Sequence, residues 1–164
     1  MDKNNKLLTG FTLIELIVTI AIIAVLSGVI LFSVSQYINK GKDSNVAGNM
    51  VILIPAGEVY YNGNGGSYED FCDPEKSSVL RNSYSQMPVN PLNGDCISGL
   101  TPGLCCNVSY NNNAWAACAR KFSDPSQAFC VDSRGVKKEI CNSYCNEEIT
   151  ECSESLAGPC PLWW

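Results

Sequence analysis

From Phe11 to Val34 the chain reads FTLIELIVTIAIIAVLSGVILFSV, twenty-four residues with a single charge, Glu15. As a helix rising about 1.5 Å per residue the run would be roughly 36 Å long, enough to cross a hydrocarbon core of about 30 Å. It reads as a membrane span. The stretch before it, MDKNNKLLTG, is short and polar and holds no apolar run that could serve as a signal-peptide core. Lys3 and Lys6 precede the span and Lys40 and Lys42 follow it, so a count of cations on either side leaves the orientation open.

The cysteines settle that orientation. All ten (Cys72, Cys96, Cys105, Cys106, Cys118, Cys130, Cys141, Cys145, Cys152 and Cys160) lie beyond the span, an even number suited to an oxidising compartment. The bulk of the chain is therefore expected outside and the leader inside. A head of about 100 residues with short strands and long loops buries little apolar surface, so disulfides worth about 2 to 4 kcal/mol each are its natural reinforcement. Five bridges are expected. Adjacent Cys105 and Cys106 should take different partners, because a vicinal bridge is strained. A four-cysteine zinc site from Cys141, Cys145, Cys152 and Cys160 is the competing reading, but gaps of three, six and seven residues are not the paired CxxC spacing of zinc ribbons. No metal or cofactor is called for.

Other classes are excluded by composition. The chain has no His, which removes Ser-His and Cys-His catalysis, the HExxH helix and mixed Cys/His zinc fingers. No Ser stands three residues before a Lys, so the usual Ser-Lys arrangement is absent too. Net charge is −5, which argues against a nucleic-acid grip spread over the surface; Arg134, Lys137 and Lys138 form the only compact basic cluster. Glu69 and Asp70 could in principle make an acid/base pair, although exposed carboxylates are usually solvated. Asp124 and Asp132 could hold calcium, but an Asp in a turn more commonly caps its own backbone.

Within the span, an unpaired carboxylate at Glu15 costs several kcal/mol even on lenient scales. One reading is that Glu15 sits one turn from the helix start, near the interface, where it complements the positive end of the dipole. The sharper reading is that a cation meets it in the membrane. The nearest source would be a new α-amino group at Phe11, from the same chain or a neighbour, if the leader were cut after Gly10.

Gly10-Phe11-Thr12-Leu13-Ile14-Glu15-Leu16, behind a Lys-containing leader and ahead of a long apolar run, resembles the cleavage and N-methylation motif of type IV pilins and the pseudopilins of type II secretion and competence machines. The resemblance covers the first 40 or so residues and implies a leader (1–10) removed by prepilin peptidase between Gly10 and Phe11, with methylation of the Phe11 amine. It also implies that Glu15 neutralises that amine on an adjacent subunit, and that an inner-membrane assembly platform moves subunits from the membrane into a homopolymeric or mixed filament outside the cell or in the periplasm. Ala21, Ala24, Ser27 and Gly28 are small enough to let such helices approach closely.

The apolar pattern goes on as helix. Val46, Met50, Leu53, Ile54, Gly57 and Tyr61 recur every three or four residues, giving an amphipathic second half with Pro55 as a point of kink or early stop. Asn62-Gly63-Asn64-Gly65-Gly66 should end it. A short helix is expected over 74–82 and strands over 113–122, 127–131 and 136–140, the last two joined by a turn at Asp132-Ser133-Arg134-Gly135. The expected fold is α+β: a span over 11–38, then a disulfide-rich head over 39–164 with small antiparallel strands, and the pilin resemblance implies that the second half of the helix packs on their sheet. The last stretch carries Glu139, Glu147, Glu148, Glu151 and Glu154 and ends in Trp163-Trp164, which invite either adhesion or packing back onto the domain. A filament subunit is the first functional reading, with a pseudopilin or minor pilin of a secretion or DNA-uptake machine as alternative and a membrane-anchored extracellular binding domain as a lesser one.

Overall fold

The computed structural model describes residues 10–89, 104–146, 148–153 and 160. It divides at Ile38/Asn39 into two compact units. Helix α1 (Leu13–Gly63) is followed by α2 (Ser78–Ser85) and four strands, β1 (Cys105–Val108), β2 (Trp115–Arg120), β3 (Gln127–Asp132) and β4 (Lys137–Cys141). The strands form one antiparallel sheet in chain order. The expected α+β architecture, with a long N-terminal helix and a small disulfide-rich sheet, is the one observed.

The described part of the first unit is helical from Leu13 onward. Leu13, Ile17, Ile23, Val29 and Leu31 are all exposed, and hydroxyls along the run are satisfied inside it: Thr19 Oγ1 donates to the Leu16 carbonyl at 2.8 Å and Ser33 Oγ to that of Val29 at 3.2 Å. Back-bonding of this kind removes the polar penalty of a hydroxyl in hydrocarbon.

In the second unit α1 buries one face. Asp43, Val46, Met50, Leu53 and Gly57 are buried at spacings of three or four, as helical periodicity requires. They pack on the inner face of the sheet, where Trp115, Ala117, Ala119 and Val131 point, together with Tyr68, Phe71 and Leu80 from the connection. Fully burying a large apolar side chain of this kind contributes about 1.5 to 3 kcal/mol. Trp115 is wholly buried and lies against Gly57; a Cβ there would stand 2.7 Å from its indole Nε1. The Phe71 ring packs on Trp115 at 4.7 Å between centroids, and Tyr60 meets Phe71 edge-on at 5.3 Å. Tyr68 donates to Glu58 Oε1 at 3.1 Å; burial first, and then that carboxylate, push its phenol up to about 12, so the donor stays protonated.

Pro55 does not stop the helix. It and Val51 lie on the exposed side, where the Val51 carbonyl that loses its donor can face water, and the contacts of Gly57, Tyr60 and Tyr61 hold the last two turns. The run of Asn and Gly ends it as expected: the Gly66 N–H reaches the Tyr61 carbonyl at 2.9 Å, with Gly65 and Gly66 at φ of 66° and 83°. Helix α2 starts four residues later than its sequence pattern suggests. Residues 73–77 turn first, and Ser77 Oγ then accepts the Leu80 N–H at 3.3 Å as an N-cap.

The outer face of the sheet is built differently. Cys105, Cys118 and Cys130 stand side by side across β1, β2 and β3, with Ala116, Ala128 and Ile140 around them, covered by Ile149 and Cys152 from the segment after β4. That cover is stapled to the middle of the sheet by Cys118–Cys145 and Cys130–Cys152.

Candidate functional site

Gly10 and Phe11 precede the first turn of α1, and Phe11 is 75% exposed. Glu15 lies in that turn. Its Oε2 accepts from the Thr12 backbone N–H at 2.8 Å and from Thr12 Oγ1 at 2.7 Å, while Thr12 Oγ1 accepts from the Glu15 N–H at 3.4 Å. This is a capping box: the residue at the helix entrance and the acid three positions on satisfy each other's polar groups. The sequence signal for it, Thr-x-x-Glu ahead of an apolar run, lies within the motif quoted above, where Glu15 is read as a dipole partner and assembly residue and Thr12 is given no role. The placement also matches the modest reading of Glu15, an acid at the positive end of a helix dipole. A carboxylate offers about four lone-pair positions, so two Thr12 donors leave room for a cation.

Ala21, Ala24, Ser27 and Gly28 lie farther along the same exposed helix, and a Cβ at Gly28 would meet nothing within 4 Å in this chain. Among the described residues, the large apolar side chains from Leu13 to Val34 are exposed. It is long and apolar enough to cross a membrane.

In the head, the candidate residues resolve into structural roles. Every described cysteine is disulfide-bonded. Cys72 pairs with Cys106, Cys118 with Cys145, Cys130 with Cys152 and Cys141 with Cys160; Cys105 is bridged as well, and Cys96 lies outside the described residues. Cys105 and Cys106 do not share a bridge, as the strain of a vicinal pair demands. The competing zinc set is dispersed: Cys141, Cys145, Cys152 and Cys160 belong to three different bridges.

The two calcium candidates are separated by the length of β3, with Asp124 before it and Asp132 at its end, and each caps backbone. Asp124 Oδ1 takes Ser126 Oγ at 2.6 Å and Ser126 N–H at 3.0 Å, which lowers its pKa. Asp132 is buried and accepts from Arg134 Nη2 at 2.6 Å, Arg134 N at 3.0 Å, Val136 N at 3.2 Å and Cys152 N at 3.0 Å. Burial works to raise its carboxyl, yet the Arg134 guanidinium and the three amides outweigh it and hold the group below the usual carboxylate range. Asp132 thus ties the β3–β4 turn to the cover of the outer face.

The same pair dissolves the basic cluster, since Arg134 also meets Glu151 at 3.2 Å. Asp70 pairs with Lys76 at 2.8 Å instead of acting with Glu69, and Glu139 pairs with Lys121 at 2.8 Å. Glu147, Glu154, Trp163 and Trp164 lie outside the described residues. Asp43 was missed in the sequence: it accepts Phe122 N–H at 2.6 Å, Ser123 N–H at 3.2 Å and the Ser123 hydroxyl, fastening the β2–β3 loop to α1. Its signal was position, three residues before Val46 on the buried face.

Against known families, residues 9–31 match the prokaryotic N-terminal methylation motif. That motif is the leader signature of type IV pilins and pseudopilins, and it supports a type IV pilin-like protein. No curated protein and no solved structure matches the chain.

Proposed function

We propose that this chain is a structural subunit of a type IV pilus or pilus-like filament, without catalysis of its own. Residues 1–10 are the leader, 11–38 the span that becomes filament core, and 39–164 the extracellular head. The observation that carries this reading is the coincidence of the methylation motif with an exposed apolar run, 11–34, whose single charge lies five residues past Gly10.

Cutting between Gly10 and Phe11 creates an α-amine at the start of α1, and N-methylation leaves that amine basic. A cation there is disfavoured twice, by hydrocarbon and by the positive end of the dipole. Glu15 of a neighbouring chain relieves both costs, and only one axial stagger brings the two together, so the pair sets the register of assembly. The chain is a single-pass membrane protein before assembly, and its disulfides suit a head on the oxidising side. Prepilin peptidase and an inner-membrane assembly platform are its partners in processing and polymerisation.

The test is filament recovery from cells expressing wild type, Glu15→Ala or Glu15→Asp. Sheared filaments are expected from wild type and none from Glu15→Ala, whose chain should stay in the membrane with a folded head. Filaments of normal yield from Glu15→Ala would refute the assembly role. A wild-type product held at the envelope in few copies would instead mark a pseudopilin or minor pilin.

A further inference from the structure

The Sγ atoms of Cys105, Cys118 and Cys145 all lie within 4.8 Å of one another, although in the oxidised head they belong to two bridges, Cys118–Cys145 and the one that holds Cys105. Cys105 and Cys118 are directly opposed on neighbouring antiparallel strands. Opposed residues have Cα atoms about 4.5 to 5.5 Å apart, inside the range a disulfide spans without backbone movement. Cys106, one residue on, is on the other face of the sheet and bonded to Cys72, so the pleat restricts this proximity to Cys105. Cys145 is the first anchor of the segment that covers the outer face; the second, Cys152, is seven residues later in sequence and held by Cys130.

We propose that these three cysteines form an exchange triad that makes the outer cover of the head redox-switchable. An external thiolate, a small-molecule thiol or a dithiol oxidoreductase, attacks the bridge of Cys105 and leaves Cys105 as a thiolate. That thiolate attacks Cys118 Sγ, the Cys105–Cys118 bond forms, the Cys118–Cys145 bond breaks, and the electron pair departs on Cys145, which takes up a proton from water. One reductant thiol stays in mixed disulfide with the former partner of Cys105, or a second one resolves it, so the electrons balance. The sheet keeps a bridge, now between β1 and β2, while Cys145 is released from β2 and the outer face around Ala116 and Cys118 opens. The switch does not depend on filament assembly.

The experiment uses the full-length oxidised chain in detergent micelles, carried through a reduced/oxidised glutathione titration, quenched in acid, alkylated and mapped by peptide mass spectrometry. A Cys105–Cys118 bridge with alkylated Cys145 is the expected first product. Opening of the Cys105 bridge with Cys118–Cys145 intact, or joint alkylation of Cys118 and Cys145 while Cys105 remains in its original bridge, would overturn the proposal. A second arm uses oxidised Cys145→Ser and Cys72→Ser chains, each with one orphaned thiol. Cys118 should capture Cys105 in the first, whereas Cys106 in the second should remain free. A free Cys118 in Cys145→Ser at glutathione equilibrium, with Cys105 unmoved, contradicts exchange even if the wild-type titration is complex.

Discussion

Helix α1 is one element in two environments. From Leu13 to Val34 its described large apolar side chains are exposed, whereas from Asp43 to Gly57 a single face is buried, by Trp115, Val131 and the aromatic cluster around Phe71. A helix buried all round belongs in a core or a bilayer, and one with a single apolar stripe belongs against one partner. In the second half that partner is supplied in cis by the sheet; for the first half the proposed function supplies lipid and then other chains. The polar residues follow the same division. Asp43 is satisfied by amides and a hydroxyl of the β2–β3 loop, while among the described residues Glu15 is met by Thr12 of its own turn, an arrangement that leaves acceptor capacity for a cation from outside.

Substitutions can break each side of this contrast separately. Glu15→Ala should have the largest effect, loss of sheared filaments, with the thermal melt of the head unchanged. Trp115→Ala should do the reverse: about 3 to 5 kcal/mol of head stability is lost through the cavity left beside Gly57 and Phe71, while membrane insertion is untouched. Denaturant titration of the head signal, with membrane fractionation as control, reads both.

Asp132→Asn should cost about 2 to 3 kcal/mol, because the ion pair with Arg134 goes and an amide donor is brought against backbone N–H groups. It should also change the response to acid. The folded carboxyl titrates below its unfolded value near 3.9, so as pH falls the unfolded chain gains the proton first. Stability from this group is complete above about pH 4 and is lost as pH drops through the folded value. Melts between pH 7 and 2 should show an acid limb in wild type that is shallower in Asp132→Asn. Gly57→Ala should cost about 1 to 3 kcal/mol by driving a methyl into the Trp115 indole, partly offset by the better helix propensity of Ala. A Gly57→Ala head as stable as wild type would mean that α1 can slide on the sheet.

The span, the buried stripe of α1 and the β3–β4 turn were legible because each is set by local periodicity or turn chemistry. Strand β1 was not: Cys105-Cys106-Asn107-Val108 is too short for its alternation to register, and it becomes a strand through pairing with β2. The start of α2 was displaced because the turn at Asp73–Ser77 is fixed by its own hydrogen bonds, which the apolar pattern of the segment does not reveal. The bridges were countable but not pairable, since Cys118 and Cys130 bond not to their register neighbours but to cysteines of the segment packed over the sheet, which only the tertiary fold brings there. At the candidate site, Gly10, Phe11 and Glu15 were conspicuous in sequence, yet the capping role of Thr12 was overshadowed by the processing motif that shares its residues.

Intact-mass analysis of native material tests the central claim most directly. The account predicts a mature chain beginning at Phe11, heavier by one methyl group, recovered from filaments and losing no mass on cleavage beyond residues 1–10. A product that retains Met1 to Gly10 and remains monomeric in the membrane would contradict it.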